Sequence, residues 1–121
     1  MARTPVNNIK TLSAIQSCSV QAQAADFTFA ACDHVNGNVL TITGKELLLV
    51  KNNGGSPATI TITAKTDIYG RGGSIASYSV GASKTSIFGP FAVEAWAQSA
   101  AGDLFIDGSA ADIQLFVIRF P

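Results

Sequence analysis

The segment Glu46-Leu-Leu-Leu-Val-Lys-Asn-Asn-Gly-Gly-Ser-Pro-Ala-Thr-Ile-Thr-Ile-Thr-Ala64 decides the fold class of this chain. Its second half alternates Ile60 and Ile62 with threonines, and a period of two is typical of a strand with one buried face. Its first half is a β-prone run, and Asn52–Pro57 between the halves consists of residues that favour turns. We therefore predict a β-hairpin over residues 46–64.

The same alternation of strand-like runs and turn signals continues along most of the chain. A strong turn signal is Asn36-Gly37, and roughly eight short strands follow one another at a spacing of about 8–12 residues. The predicted strands after residue 26 include Val39–Thr43, a pair formed by Ile75–Val80 and Thr85–Phe88 across Gly81–Lys84, then Val93–Gln98, Leu104–Ile106 and Ile113–Phe120. This pattern predicts an all-β protein, a single antiparallel β-sandwich whose strand order is either jelly-roll or immunoglobulin-like.

The last predicted strand, Ile113–Phe120, is apolar at most positions on both of its faces. Such a strand is central and covered on each side, or it has one face against a partner. The sequence leaves both alternatives open.

The N-terminal part differs in composition from the rest. Pro5 and the pair Asn7-Asn8 discourage regular structure over residues 1–12, and the next residues are rich in Ala, Gln and Ser. We predict an N-terminal arm with a short helix or extended linker over 1–25, followed by the sandwich domain over 26–121. The arm is expected to be mobile in the free protein and to become ordered against a partner.

The fraction of charged residues is low for a soluble domain. It is 13%, against about 25% on average, while hydrophobic residues make up 47%. Either the surface consists of Ser, Thr, Gly and Ala, or part of it is covered by copies of the chain or by a larger partner. The net charge of +0 provides no field for nucleic acid or anionic lipid. No apolar run has the length of a membrane span or of a signal peptide, so, unless a signal was removed, we expect synthesis and use without Sec export.

Cys32 and His34 are the first candidates for chemistry. A structural zinc site needs about four ligands and a thiol protease needs a distal base, and this chain has one histidine. Two buried free thiols are the favoured interpretation of Cys18 and Cys32, with a single disulfide as the alternative.

The remaining polar clusters also lack the spacing that catalysis or metal binding requires. The loop Asp67–Gly73 is not followed by the Lys-Ser/Thr and helix of a phosphate loop. The aspartates and glutamates do not have the spacing of an EF-hand or of an acid/base pair: Asp103, Asp107, Asp112, Glu46 and Glu94. We predict a protein that is not an enzyme and uses no cofactor or metal.

Seven fragments of the chain resemble one family, the head decoration or cement proteins of tailed bacteriophages. The resemblance covers about residues 26–121 and is carried by Asp26–Phe29, Gly44–Asn52, Ala58–Thr63, Asp67–Arg71, Phe88–Phe91, Asp103–Asp107 and Ile118–Pro121. It implies a β-sandwich on the outer surface of the virion capsid, made in the host cytoplasm. The implied partners are the major capsid protein and further copies of the chain, as a dimer or trimer.

The residues predicted to contact a partner come from the arm and from the aromatic segment near residue 90. They are Arg3, Pro5, Val6, Ile9, Phe88, Pro90, Phe91 and Trp96. For the aromatic members, core packing and an interface patch are both open interpretations. The alternative function is a receptor- or glycan-binding module of a phage fibre or adhesin, with Trp96, Tyr69, Tyr78 and Gln98 as its candidate residues.

Overall fold

The computed structural model describes residues 2–11, 28–66 and 69–120, and these residues are mostly in β-strands. In chain order the elements are β1 (Thr4–Pro5), β2 (Ile9–Thr11), β3 (Ala30–Ala31), β4 (Asn38–Thr41), β5 (Glu46–Asn52), β6 (Ala58–Thr63), β7 (Ile75–Val80), β8 (Thr85–Phe88), α1 (Val93–Trp96), β9 (Asp103–Gly108) and β10 (Ile113–Arg119). Cys18, Phe27 and the linker predicted over 12–25 lie outside the described residues.

The strands form two sheets that enclose one core. The first sheet has the order β1-β4-β9-β6-β7, and the second has the order β2-β10-β5-β8 with β3 also paired to β10. The predicted all-β sandwich is confirmed at this level. All ladders are antiparallel except those of β1 with β4 and β2 with β10, which are parallel.

The core follows from the period of two in each central strand. Alternate residues of β5, β6, β9 and β10 point between the sheets, and the most buried are Leu48, Val50, Ile60, Ile62, Leu104, Ile106, Ile113 and Val117. Each fully buried side chain of this kind stabilises the fold by about 1.5–3 kcal/mol. The two sheets are therefore held together mainly by aliphatic packing.

The hairpin predicted over residues 46–64 is wrong, although both of its strands exist. β5 pairs with β10 and β8, whereas β6 pairs with β7 and β9 in the other sheet. Both edges of each strand are occupied by these partners, so β5 and β6 have no free edge with which to pair with each other. The connection instead crosses between the sheets, and the Asn52 amide fixes it by donating to the carbonyls of Ser56 and Val80.

The predicted pairing of Ile75–Val80 with Thr85–Phe88 is also wrong. β7 pairs with β6 and β8 pairs with β5, so the turn over 81–84 carries the chain from the first sheet to the second. Ser83 in this turn has a φ of 59°. The two strands consequently lie side by side as the ends of different sheets.

The predicted strand Val93–Gln98 forms a single helical turn, α1, over its first four residues. The amides of Trp96 and Ala97 donate to the carbonyls of Ala92 and Val93 at 3.0 Å. Alanine and glutamate are good helix formers, and the segment lacks the alternation of a half-buried strand.

The N-terminal segment belongs to both sheets. β1 lies on β4, β2 lies on β10, and Val6 between them is buried in the core. The Val6 amide donates to the Val39 carbonyl at 2.9 Å. The arm expected to stay mobile until it meets a partner is thus docked on its own domain, because Val6 gains burial and the flanking backbone gains ladder hydrogen bonds there.

Candidate functional site

The structure separates the predicted contact residues onto two opposite sides of the sandwich. Arg3, Pro5, Val6 and Ile9 lie with β1 and β2, which we call the N-terminal flank (residues 3–11). Phe88 and Pro90 lie at the opposite side, where β7 and β8 end the two sheets. We call residues 75–90 on that side the open flank.

Arg3 is the most extensively bonded residue of the N-terminal flank. Its guanidinium donates to both carboxylate oxygens of Asp107 at 2.9 and 3.2 Å and to the Asn38 carbonyl at 3.2 Å. It also lies 4.3 Å from the centre of the Phe105 ring. Arg3 therefore binds the N-terminal flank to β9 of its own domain. The Asp107 carboxylate compensates its charge, so little net charge is left for a partner.

Thr4 and Asp33 form a second link between the N-terminal flank and the turn after β3. The Thr4 hydroxyl donates to the Asp33 carboxylate at 2.5 Å, and the amides of Asn36 and Val35 donate to the same group. These bonds, that of Thr4 first, lower the pKa of Asp33 from 3.8 to about 2. The carboxylate is thus ionised at neutral pH.

The other members of the N-terminal flank also contact their own chain. Val6 is in the core, and Ile9 packs partly buried against it. The Asn8 amide donates to the carbonyls of Leu115 and Thr28. Pro5 is exposed. Of the four predicted contact residues here, Pro5 has the most surface available.

The aromatic segment after β8 is divided between core and surface. Phe91 is fully buried, and Trp96 packs on it edge-to-face with ring centres 5.2 Å apart. Phe88 is half-buried, and Pro90 is exposed after a cis peptide bond with Gly89. Gly89 has a φ of 114°, and its backbone lies so close to the Glu46 carbonyl that a Cβ would meet it at 2.7 Å.

The open flank exposes two large apolar side chains, Tyr78, which was a candidate for glycan binding, and Ile87, which the sequence did not assign to a site. Tyr78 is 47% exposed and Ile87 is 63% exposed. Tyr78 stacks edge-to-face on Phe88 at 5.3 Å and covers the gap between the ends of the two sheets. Between Arg71 and Glu94 the sequence contains a single charged residue, Lys84. That uncharged interval was the signal that could have located this surface.

A buried ion pair lies where β5 and β10 meet the connection after β4. The side chain of Glu46 is fully buried and accepts from the Arg119 Nε at 2.5 Å and from the Thr43 amide at 2.7 Å. Burial alone would raise the pKa of Glu46, but the Thr43 backbone bond and the Arg119 guanidinium outweigh it and lower the pKa. This pair holds the fold together and has no access to a substrate.

Cys32 and His34 do not form a pair. The Cys32 thiol is free and buried, and its Sγ donates to the Ala110 carbonyl at 3.2 Å, whereas His34 is exposed. Burial raises the pKa of Cys32 to about 11. Because the thiolate is the reactive species, this cysteine is a poor nucleophile at neutral pH.

The remaining polar candidates are dispersed. Asp107 is paired with Arg3, Asp103 accepts from the Ser99 hydroxyl at 3.0 Å, and Glu94 is exposed on α1. In the described part of the chain no three acidic, histidine or cysteine side chains are grouped to hold a metal ion. Among the same residues, no helix is long and apolar enough for a membrane crossing.

An open groove of about 610 Å³ lies between the glycine-rich loop and α1. It is lined by Lys65, Thr66, Arg71, Gly72, Gly73, Glu94 and Ala95. The Arg71 guanidinium lies 5.2 Å from the centre of the Tyr69 ring. The Gln98 amide, another candidate for glycan binding, donates to the carbonyls of Thr63 and Trp96. The lining combines charged side chains of both signs with small residues.

The chain matches no protein-family model, no curated protein and no solved structure.

Proposed function

We propose that this chain is a structural virion protein that binds the outer surface of a phage capsid and stabilises contacts between major capsid subunits. The proposal combines the resemblance carried by residues 26–121 with the β-sandwich and its surface. The role requires no reaction, cofactor or metal. It places the protein on the outside of the virion after synthesis in the host cytoplasm.

The observation that carries the proposal is the open flank. Its side chains include Tyr78, which is exposed and contacts the half-buried Phe88, Ile87, which is exposed on the outer face of the second sheet, and the exposed Pro90, with Lys84 as its one charge. Exposed apolar surface at one edge of a protein often marks an interaction site. An edge with a single charge suits a protein that is held permanently against a neighbouring subunit.

The internal bonding of the N-terminal flank supports a rigid role. Arg3 binds this segment to β9 of the first sheet, Asn8 binds it to β10 of the second sheet, and Val6 between them is in the core, so the segment links the two sheets on that side. A rigid body with contact surfaces on opposite sides can bridge two neighbours in a shell. In this proposal, residues 1–25 act as an arm once the chain is on the capsid. Pro5 and its surroundings then make contacts with the partner.

Stabilisation of the shell follows from mass action. A protein that binds the assembled lattice and not the free subunits favours the assembled state by the free energy of its binding. Repetition of the site across the lattice means that individually weak contacts are sufficient. The protein therefore needs complementary shape and low charge more than it needs a deep pocket.

The test is binding of the purified chain to capsids assembled from the major capsid protein of the same genome. Wild-type chain is expected to cosediment with the capsids and to raise their temperature of disassembly. Ser79→Lys places a charge on the exposed part of β7 and is expected to weaken occupancy at least about tenfold. Ser56→Lys makes the same change on the exposed connection between β5 and β6 and is expected to bind as wild type.

Three outcomes would contradict the proposal. They are absence of wild-type binding, equal binding by Ser79→Lys and wild type, and equal loss in both variants. Hits on a glycan array without capsid binding would favour the receptor-binding alternative. Circular dichroism melting of each variant confirms that the comparison is made between folded proteins.

A further inference from the structure

We propose that the partner of strand β8 on the open flank is β8 of a second copy of this chain. The two strands pair antiparallel around a two-fold axis and join the second sheets of the two copies into one continuous sheet. The inference rests on the proposed function because it names a partner for the open flank. It is tested on the free protein without capsids, so the pairing of β8 and the binding to capsids can fail independently.

The first observation is an apolar row across the outer face of the second sheet. Phe116 of β10, Leu49 of β5 and Ile87 of β8 are opposite one another in the two ladders. Phe116 is 3% exposed and Leu49 is 6% exposed, but Ile87, at the end of the row, is 63% exposed. A second β8 would continue this row and cover the side chain at which it stops.

The second observation is the difference between β8 and the other sheet ends. Natural proteins protect edge strands by making them short, by adding bulges or by placing charges on them. β1 has two residues, β2 has three and includes Lys10, and β7 contains a bulge where Ser77 has a φ of 48°. β8 is regular over its four residues, which are Thr, Ser, Ile and Phe, and within the described residues it pairs with β5 alone.

The third observation is the charge distribution, which selects a copy of the chain over a foreign partner. A two-fold axis places identical groups opposite each other, so any charge on a self-pairing strand would lie near the same charge. β8 has no charge, and Lys84 immediately before it is at the outer limit of the paired stretch. A strand that selects a different protein by electrostatic complementarity would carry charges of one sign.

The geometry restricts how the two strands can align. Residues directly opposite in an antiparallel pair have side chains on the same face of the sheet. Ile87 must therefore face Ile87 or Thr85 of the second copy in the two registers that keep most of β8 paired. The positive φ of Gly89 and the missing N–H of Pro90 end the ladder beyond Phe88. The contact is consequently small.

A contact of this size predicts a weak dimer in solution. Stable interfaces bury about 1,200–2,000 Å² in total, and pairing of four-residue strands with one exposed isoleucine each buries less. We expect a dissociation constant between about 10 µM and 1 mM. On a lattice, where neighbouring copies are held close, the same contact would be saturated.

The first experiment is sedimentation of the full chain from about 2 µM to about 2 mM, a range that spans the expected dissociation constant. Wild type is expected to shift from monomer to dimer, and Ile87→Lys is expected to remain monomeric because the axis would bring two lysines together. Val35→Lys is the matched control, since Val35 is a similarly exposed aliphatic residue on a turn away from β8. It is expected to dimerise as wild type.

The second experiment identifies the strand. In a Cys18→Ser background, Ile87→Cys is expected to be crosslinked to its copy by a short bis-maleimide, whereas Val35→Cys is not. Amide exchange in β8 is expected to slow at high concentration, with β7 unchanged. The inference is overturned by a wild type that stays monomeric, by dimers of Ile87→Lys, by equal loss in Val35→Lys, or by slowed exchange in β7 and not in β8.

Discussion

Glu46 is the residue whose side chain is most completely committed to the fold. Its carboxylate accepts from the backbone amides of Thr43, Gly44 and Lys45 and from the guanidinium of Arg119. A buried charge with this many donors stabilises the protein only while every partner is present. The pair joins the start of β5 to the end of β10, next to the point where Gly89 crosses β5.

Replacement of this carboxylate by a neutral amide is predicted to be strongly destabilising. Glu46→Gln leaves Arg119 without its counter-ion. It also replaces one accepting oxygen by an NH₂ group, which is a donor and faces the backbone N–H donors. Together these changes are expected to lower the free energy of unfolding by about 2–4 kcal/mol. Urea unfolding measures the loss. Glu94→Gln, on the exposed face of α1, is the matched control and should change stability by less than about 0.5 kcal/mol. Equal stabilities for the two variants would show that the buried pair is dispensable.

Asp33 provides a prediction about acid. Its pKa is about 2 in the folded chain, against 3.8 for an ordinary aspartate, so the unfolded chain takes up this proton first on acidification. The stabilisation is complete above about pH 4 and is lost as the pH falls towards 2. Thermal melts at steps between pH 5 and pH 2 should show a shallower decline for Asp33→Asn than for wild type. Parallel curves would mean that Thr4 and the turn amides do not bind the carboxylate.

The N-terminal segment yields a prediction at the scale of elements. Val6 is the residue between β1 and β2, and its burial holds both strands against their sheets. Val6→Ala is predicted to lower the free energy of unfolding by about 1–3 kcal/mol. Pro5→Ala, at the exposed neighbouring position, should remain within about 0.5 kcal/mol of wild type.

The measurement is chemical unfolding of the free protein, followed by amide exchange of residues 4–11. Protection of Val6 and Ile9 in wild type, lost in Val6→Ala, would establish that the segment is docked without a partner. An unprotected segment in wild type would restore the original expectation of an arm that awaits the capsid.

Local sequence predicted the strands better than it predicted their partners. The alternation of Ile60 and Ile62 with threonines correctly located β6, since a half-buried strand has the same pattern in any sheet. Whether β5 and β6 pair or face each other across the core depends on strands distant in the chain, above all β10 and β9. The turn residues Asn53 and Gly54 fit a hairpin and a crossing equally well, and only the backbone conformation distinguishes them.

The candidate surface was predicted only in part, because local sequence does not specify which strands pair with each other. Phe88 and Pro90 were recognisable as an aromatic and turn segment, and the structure places both on the open flank. Ile87 was not recognisable as part of this surface. A sequence of four uncharged residues is equally compatible with a strand at the end of a sheet and with a strand in its middle. For Phe91, core packing and an interface patch were both open interpretations, and its ring is in the core. Exposure of these residues is a property of the sheet order.

For the molecule as a whole, the positions of its few charged residues determine how it can associate. The chain has 16 charged residues in balance, eight of each sign, and the interval from residue 72 to residue 93 contains one of them. On the N-terminal flank, Arg3 is paired with Asp107 of the same domain. Association through the open flank must therefore depend on apolar burial and backbone pairing, and long-range attraction contributes little.

This distribution predicts that association is nearly independent of salt. Raising NaCl from about 0.1 M to about 1 M shortens the screening length from about 10 Å to about 3 Å, which weakens contacts made by exposed charges. The dimerisation constant of the free chain should change less than about threefold over this range, since β8 contributes no ion pair. Sedimentation at the two salt concentrations measures the dimerisation constant. The direction of any change is informative, because apolar contacts strengthen slightly with salting-out ions. A weakening of tenfold or more would show that charged residues outside the open flank hold the copies together.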